Sequence, residues 1–234
     1  MSTDVETVRP TSMRARPWHA VNAAVAWLGL GMQLVLSAGG VYPPTQTVPS
    51  QLGFDNAAGF AGAVGRTLDL LSYFTIWSNI VVAVVATVLA LHPERDSRLL
   101  RVLRLDALLM ITVTGLVYAV LLAGTAKLTG WQIPANSLLH QITPVVTIVV
   151  WLVVGPRRWI AWRTIPEALV LPLVWIAYTL LRGAVIGAYP YPFIDVVRLG
   201  YGQVLVNVLA IAVLGVVIGA ALLGIDRLLS RRAA

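Results

Sequence analysis

Cysteine is missing altogether from this 234-residue chain, which excludes disulfides, thiolate metal sites and cysteine nucleophiles. Charge is scarce as well: 12% of the residues are charged against 58% hydrophobic, and the mean hydropathy is +0.82. Such a balance is far from that of a soluble domain. The sequence has no internal repeat, no heptads and no low-complexity tract. Of its three histidines, only His140 is read as lying in a span, with no second histidine or cysteine near it. No metal and no cofactor is therefore expected.

What the sequence does have is apolar length. Runs near the 20 residues needed to cross a bilayer occur at 18–38, 67–91, 103–125, 137–155, 166–188 and 201–224. The expected fold is all-α, a single bundle of six transmembrane helices over residues 16–234, preceded by a mobile tail at 1–15. A first run flanked by Arg14 and Arg16 has the look of a signal peptide, but it is longer than a usual signal core and reads as a retained helix.

The net charge of +7 belongs to the connections between runs, so it speaks for membrane topology and against nucleic acid. Thirteen of the 17 basic residues fall on one side: Arg9, Arg14, Arg16, Arg95, Arg98, Arg101, Arg104, Arg157, Arg158, Arg163, Arg227, Arg231 and Arg232. Arg66, Lys127 and Arg198 fall on the other. By the positive-inside rule both termini are cytoplasmic, in a bacterial cytoplasmic membrane. The longest outer connection, 39–66, is read as a cap over the bundle mouth or as a loose tether. Tyr189 to Asp195 reads as a stiff aromatic belt at the interface. Thr164-Ile165-Pro166-Glu167 reads as a capping box, and Asn136 as an N-cap.

Arg182 stands alone inside the fifth run, where a charge needs an anion, a cavity or a helix terminus. Depth counted at about 1.5 Å per residue places the other polar residues at its level. They are Gln33; Asp69, Ser72, Thr75, Ser78 and Asn79; Ser137, His140 and Gln141; Tyr178; and Gln203 with Asn207. Asp69, Ser72, Thr75 and Asn79 step by three or four and share one face of a helix. Together these residues suggest a hydrated polar chamber in the outer half of the bilayer. Asp106 and Glu167 are the only comparable groups in the inner half. A histidine near the start of a helix is held neutral and basic, and can take a proton from a hydroxyl; Thr75 is the hydroxyl at the right depth.

Tyr73-Phe74-Thr75-Ile76-Trp77-Ser78-Asn79, Leu139-His140-Gln141-Ile142-Thr143-Pro144 and the Tyr-Pro-Tyr-Pro-Phe segment resemble an actinobacterial family of six-helix integral membrane proteins. More distantly they resemble the androgen-induced protein family of animals, intramembrane threonine hydrolases that cleave fatty acid esters of hydroxy fatty acids. The resemblance implies Thr75 as nucleophile and His140 as its partner. The animal pattern has a second histidine just before the catalytic one and a threonine just after it, whereas Gln141 follows here. The expected activity is hydrolysis of a lipid or fatty acyl ester. Arg182 would hold an anionic group or pair with Asp69, Asn79, Ser78 or Asn207 would donate to the oxyanion, and Gln203 and Tyr178 would support the chamber. The alternative is a small lipid-binding or transport protein using the same chamber without catalysis.

Overall fold

In the computed structural model, residues 11–41, 50–53, 56–57, 59–124 and 128–232 are described. Most of the expected tail, Tyr42-Pro43-Pro44, Asp55 and Lys127 lie outside them. Among the described residues, six helices are long and apolar enough to cross a membrane: Met13–Ala38, Phe74–Leu91, Arg98–Leu122, Gln132–Val154, Thr164–Ile186 and Val196–Arg231. No strand occurs among the described residues, only an isolated bridge between Gln51 and Tyr189.

Helix α1 (Thr11–Ala38) begins inside the stretch given above to the tail. It lies along α3 (Phe74–Leu91) through small side chains: Ala26, Ala83 and Ala86 are fully buried. Between membrane helices, where lipid is as apolar as leucine, close backbone approach through small residues is what van der Waals packing can exploit. Helix α4 (Arg98–Val117) follows, started by Ser97, whose hydroxyl accepts from the Leu100 amide. It continues as one π-helical turn, Tyr118–Leu122. The fourth crossing is α5 (Gln132–Ser137), a π turn at Leu138–Ile142 and α6 (Thr143–Val154). The fifth is α7 (Thr164–Ala168) followed by α8 (Val170–Ile186), and the sixth is α9 (Val196–Arg232), interrupted at Gly200 with φ 73°. Leu105, Leu108, Leu109, Met110, Trp151 and Leu223 form the main core between α4, α6 and α9.

The expected capping box does not form. Thr164 bonds to Ala161, and Glu167 turns to an ion pair with Arg98 across to α4. Asn136 is not an N-cap either, because the helix starts four residues earlier at Gln132.

The two ends of the bundle differ. At the long-loop end, Arg66 donates to the carbonyls of Ser37 (2.8 Å), Ala38 (2.8 Å), Ala57 (2.7 Å) and Gly59, so one guanidinium satisfies carbonyls that the end of α1 leaves open. Part of the 39–66 connection is pinned: Ser50 and Leu52 exchange backbone hydrogen bonds with Tyr189, and the Ser50 hydroxyl donates to buried Asp195 at 2.6 Å. At the arginine end, Arg101 lies over the Trp159 ring and Asp226 accepts from the Ile160 amide.

Candidate functional site

Thr75 owes its surroundings to a break in the second apolar run. The sequence reads 67–91 as one helix, but α2 (Ala63–Leu70) ends and α3 begins at Phe74, with Tyr73 in extended conformation (φ −81°, ψ 131°). Neither proline nor glycine stands at Leu71, Ser72 or Tyr73. The break is held instead by two indoles: Trp77 donates to the Leu71 carbonyl at 2.7 Å and Trp175, from α8, to the Ser72 carbonyl at 3.0 Å. Non-helical backbone at membrane depth persists only where protein supplies such partners. Asp69 and Ser72 therefore do not share a continuous helical face with Thr75 and Asn79. Thr75 instead occupies the first turn of α3, where backbone N–H groups lack intrahelical acceptors and the helix dipole is positive.

His140 lies in the π turn Leu138–Ile142. Pro144, four residues on, has no N–H to return to the His140 carbonyl, and the chain widens so that the Thr143 amide reaches Leu138. Gly115 of α4 makes room for that proline; a Cβ there would stand 3.1 Å from Pro144. The widened turn points the imidazole at Thr75, with Nε2 3.2 Å from Oγ1 over 65 positions of sequence. On its other edge Nδ1 lies 3.1 Å from the Asn136 carbonyl. A carbonyl only accepts, so Nδ1 carries the hydrogen and Nε2 presents its lone pair to the threonine hydroxyl. Tyr118 stacks on the imidazole at 4.5 Å, and the Asn136 side chain holds the Tyr118 hydroxyl at 2.8 Å.

Tyr191 is the member that sequence reading missed. Its segment is no exposed belt: Tyr189, Tyr191 and Ile194 are buried, and Gly183 of α8 leaves space that a Cβ would take from the Tyr189 ring. The Tyr191 hydroxyl stands 3.4 Å from Thr75 Oγ1 and accepts from the Thr75 amide at 3.5 Å, with the Phe74 amide also directed at it. Because the Thr75 hydrogen is committed to His140, the phenol donates to Thr75. The donor chain runs from Tyr191 through Thr75 and His140 to the Asn136 carbonyl. Burial raises the Tyr191 phenol above the usual tyrosine range, so it stays a donor.

Beside Thr75 opens a cavity of about 110 Å³ between α3, α4, α8 and α9. The expected hydrated chamber is not what forms. Phe74, Leu109, Val113, Leu169, Trp175 and Ile211 are among its walls, and Thr75, Thr114 and Tyr191 are its polar points. His140 is not a wall residue and reaches Thr75 from behind. The polar residues placed at this depth satisfy one another instead. Ser78 and Asn79 both donate to the Thr75 carbonyl, at 2.9 and 2.8 Å, and Asn79 also reaches the Leu139 carbonyl at 3.2 Å. Asn207 donates to the Phe193 carbonyl at 2.7 Å and accepts from Gln203 at 3.0 Å. These groups hold α3 and the tyrosine segment, so the donors expected at an oxyanion are spent on backbone carbonyls. Tyr178 lies 3.2 Å from the Ser72 hydroxyl. Arg182 is paired: its Nη2 donates to Asp69 Oδ1 at 2.6 Å, and Asn56 donates to the other carboxylate oxygen at 2.6 Å. This closes Asp69 and ties α8 to α2 and the long connection. Gln141 is exposed.

Among the described residues no group of histidine, aspartate or glutamate side chains could hold a metal. His140 is not alone among histidines inside a span, since His19 lies within α1 and is 3% exposed. No family model, no curated protein and no solved structure matches the chain.

Proposed function

We propose that the protein is an intramembrane hydrolase of neutral lipid esters, with Thr75 as nucleophile and His140 as general base. The observation that carries this reading is the Thr75–His140 hydrogen bond behind the wall of an apolar cavity that Thr75 lines, with the imidazole fixed in the tautomer that accepts a proton. The motif resemblance to the threonine hydrolases points the same way. His140 Nε2 takes the hydroxyl proton as Thr75 Oγ1 attacks the ester carbonyl carbon. The oxyanion that develops receives hydrogen bonds from the Tyr191 hydroxyl and the Thr75 amide at the start of α3. Collapse breaks the bond to the alcohol oxygen, which leaves with the proton from Nε2. Water, deprotonated by the same nitrogen, then attacks the acyl-threonine, and the proton returns to Oγ1 as the carboxylic acid departs.

The cavity suits an uncharged acyl chain, because its walls carry no cation and Arg182 is already neutralised by Asp69. The excess of arginines at one end orients the protein with that end and both termini in the cytoplasm and the catalytic pair in the outer half of the membrane.

In detergent-purified protein, Thr75→Ala and His140→Ala should each abolish turnover of a long-chain p-nitrophenyl ester while the melting temperature stays near wild type. Thr112→Ala, whose hydroxyl bonds back to the Leu108 carbonyl of its own helix, should retain it. Turnover surviving in Thr75→Ala would remove the nucleophile from this reading. No turnover by wild type on any acyl ester would leave the cavity to a lipid-binding or transport role.

A further inference from the structure

The cavity beside Thr75 has one polar end and one closed end. Thr75, Thr114 and Tyr191 mark the polar end, and Ser78 ties the two threonines together, donating to the Thr75 carbonyl and accepting from the Thr114 hydroxyl at 2.8 Å. Toward the arginine end, Leu109 lines the same cavity five residues back along α4, about 7–8 Å at the helical rise. Leu169, between α7 and α8, and Gly215 of α9 line it at that level. The three converge: a Cβ on Gly215 would stand 3.2 Å from Leu169 Cδ2 and 3.9 Å from Leu109 Cδ2.

One helical turn further toward the arginine end, the same three stretches carry Leu105, Ile165 and Ile218, all buried in the main core. The cavity stops there because packed side chains fill that layer; a Cβ on Gly219 would stand 3.1 Å from Ile165. Between the two ends the walls are apolar, with Val113, Ile211 and Ala212 among them, and none of the lining residues is charged. The open side lies at Leu173 of α8, which lines the cavity and is 51% exposed on the outside of the bundle. A slot that leads from an attacking hydroxyl to a blunt apolar end selects by length. Each methylene that fits adds buried apolar area, and the first that does not fit meets packed side chains. Gly215 keeps that end open, since any side chain there would enter the space between two leucines.

We propose that Leu109, Leu169 and Gly215 form the floor of an acyl-chain slot and set the longest fatty acyl group that the protein accepts. The inference rests on the hydrolase reading, which puts the ester carbonyl at Thr75 and sends its chain toward this floor. Purified protein in maltoside detergent is assayed on p-nitrophenyl esters from butyrate to stearate. In parallel, the rise in melting temperature is measured with methyl ketones of the same chain lengths, which cannot be hydrolysed. Gly215→Val should lower the ratio of kcat/KM for palmitate to that for butyrate roughly tenfold or more. Leu169→Ala should move the optimum to longer chains, and the ketone series should shift in the same two directions. Gly224→Ala, at an exposed glycine of α9 away from the cavity, should keep the wild-type profile. If Gly215→Val fails to fold, Leu169→Ala decides. Turnover by wild type with an unchanged chain-length profile in the variants overturns the floor and leaves the hydrolase standing. If wild type turns over no ester, the hydrolase reading falls and the ketones decide the slot: the same shifts support it, and their absence overturns it.

Discussion

Two side chains, His140 from another crossing and Tyr191 from a connection, meet at the Thr75 hydroxyl, and each of the three has a different duty in the proposed reaction. Tyr191 is the one whose removal separates chemistry from binding. Replacing it with phenylalanine keeps the ring packed against Tyr73 and Phe193 and deletes only the hydroxyl. The expected result is a fall in kcat of about 10²-fold or more with KM little altered, because the lost hydrogen bond matters most when the oxyanion forms. The pH profile follows from the same residues. A general-base imidazole works only when neutral, so kcat/KM should fall on the acid side with one proton per molecule. On the alkaline side the raised Tyr191 phenol remains protonated up to its ordinary range near pH 10, so no loss from this group should appear below about pH 9. An alkaline limb near neutrality that disappears in Tyr191→Phe would contradict the assignment.

At the level of elements, the helices were legible in the sequence and their interruptions were not. Apolar length alone locates all six crossings, since nothing else in a sequence looks like 20 apolar residues. The pairing of Arg182 with Asp69 was also within reach, as one of two stated roles, because an isolated charge at that depth requires a partner. The break at Leu71–Tyr73 was invisible, because it rests on Trp77 and, from about 100 residues away, Trp175 rather than on a local breaker. Tyr191 was hidden for the same kind of reason: a tyrosine between two prolines looks like an interfacial anchor until Gly183 and Ser50 are seen to draw its segment inward. The polar residues hydrogen-bond among themselves and leave the cavity to its apolar walls, which their grouping in the sequence did not foretell. Trp175→Phe isolates the break. It should strip the buried Ser72 carbonyl of its donor, cost about 1–3 kcal/mol, and be read as a lowered denaturation midpoint with reduced ester turnover.

For the molecule as a whole, two charge arrangements can be tested, one for orientation and one for integrity. Reporter fusions at Pro93 and at Arg232 should report cytoplasm and one after Gly53 the opposite side, as the arginine asymmetry requires. A cytoplasmic 39–66 connection would invert the depth assigned to Thr75. The Asp69–Arg182 pair, with side chains 15% and 20% exposed, joins the long connection, α2 and α8. Arg182→Gln alone leaves the carboxylate with Asn56 as its remaining partner and should lower stability by on the order of 2–3 kcal/mol, less than for a fully dry pair. Adding Asp69→Asn should recover much of that loss in a double-mutant cycle, which an anion-binding role for Arg182 would not produce.

The tryptophan-held break also has a consequence in time. Residues 63–91 contain no breaker between Leu70 and Phe74, so nothing local prevents this stretch from entering the bilayer as one unbroken rod with every amide paired. Trp77 reaches the Leu71 carbonyl from within the stretch, but the Ser72 carbonyl gains its donor only when the fifth helix brings Trp175. A nascent chain lacking its last two crossings would therefore hold Thr75 and His140 with only one of the two indoles that open the helix start beside them. The competence of the proposed site would then be a late product of assembly, and the surrounding lipid would be spared a half-built catalyst.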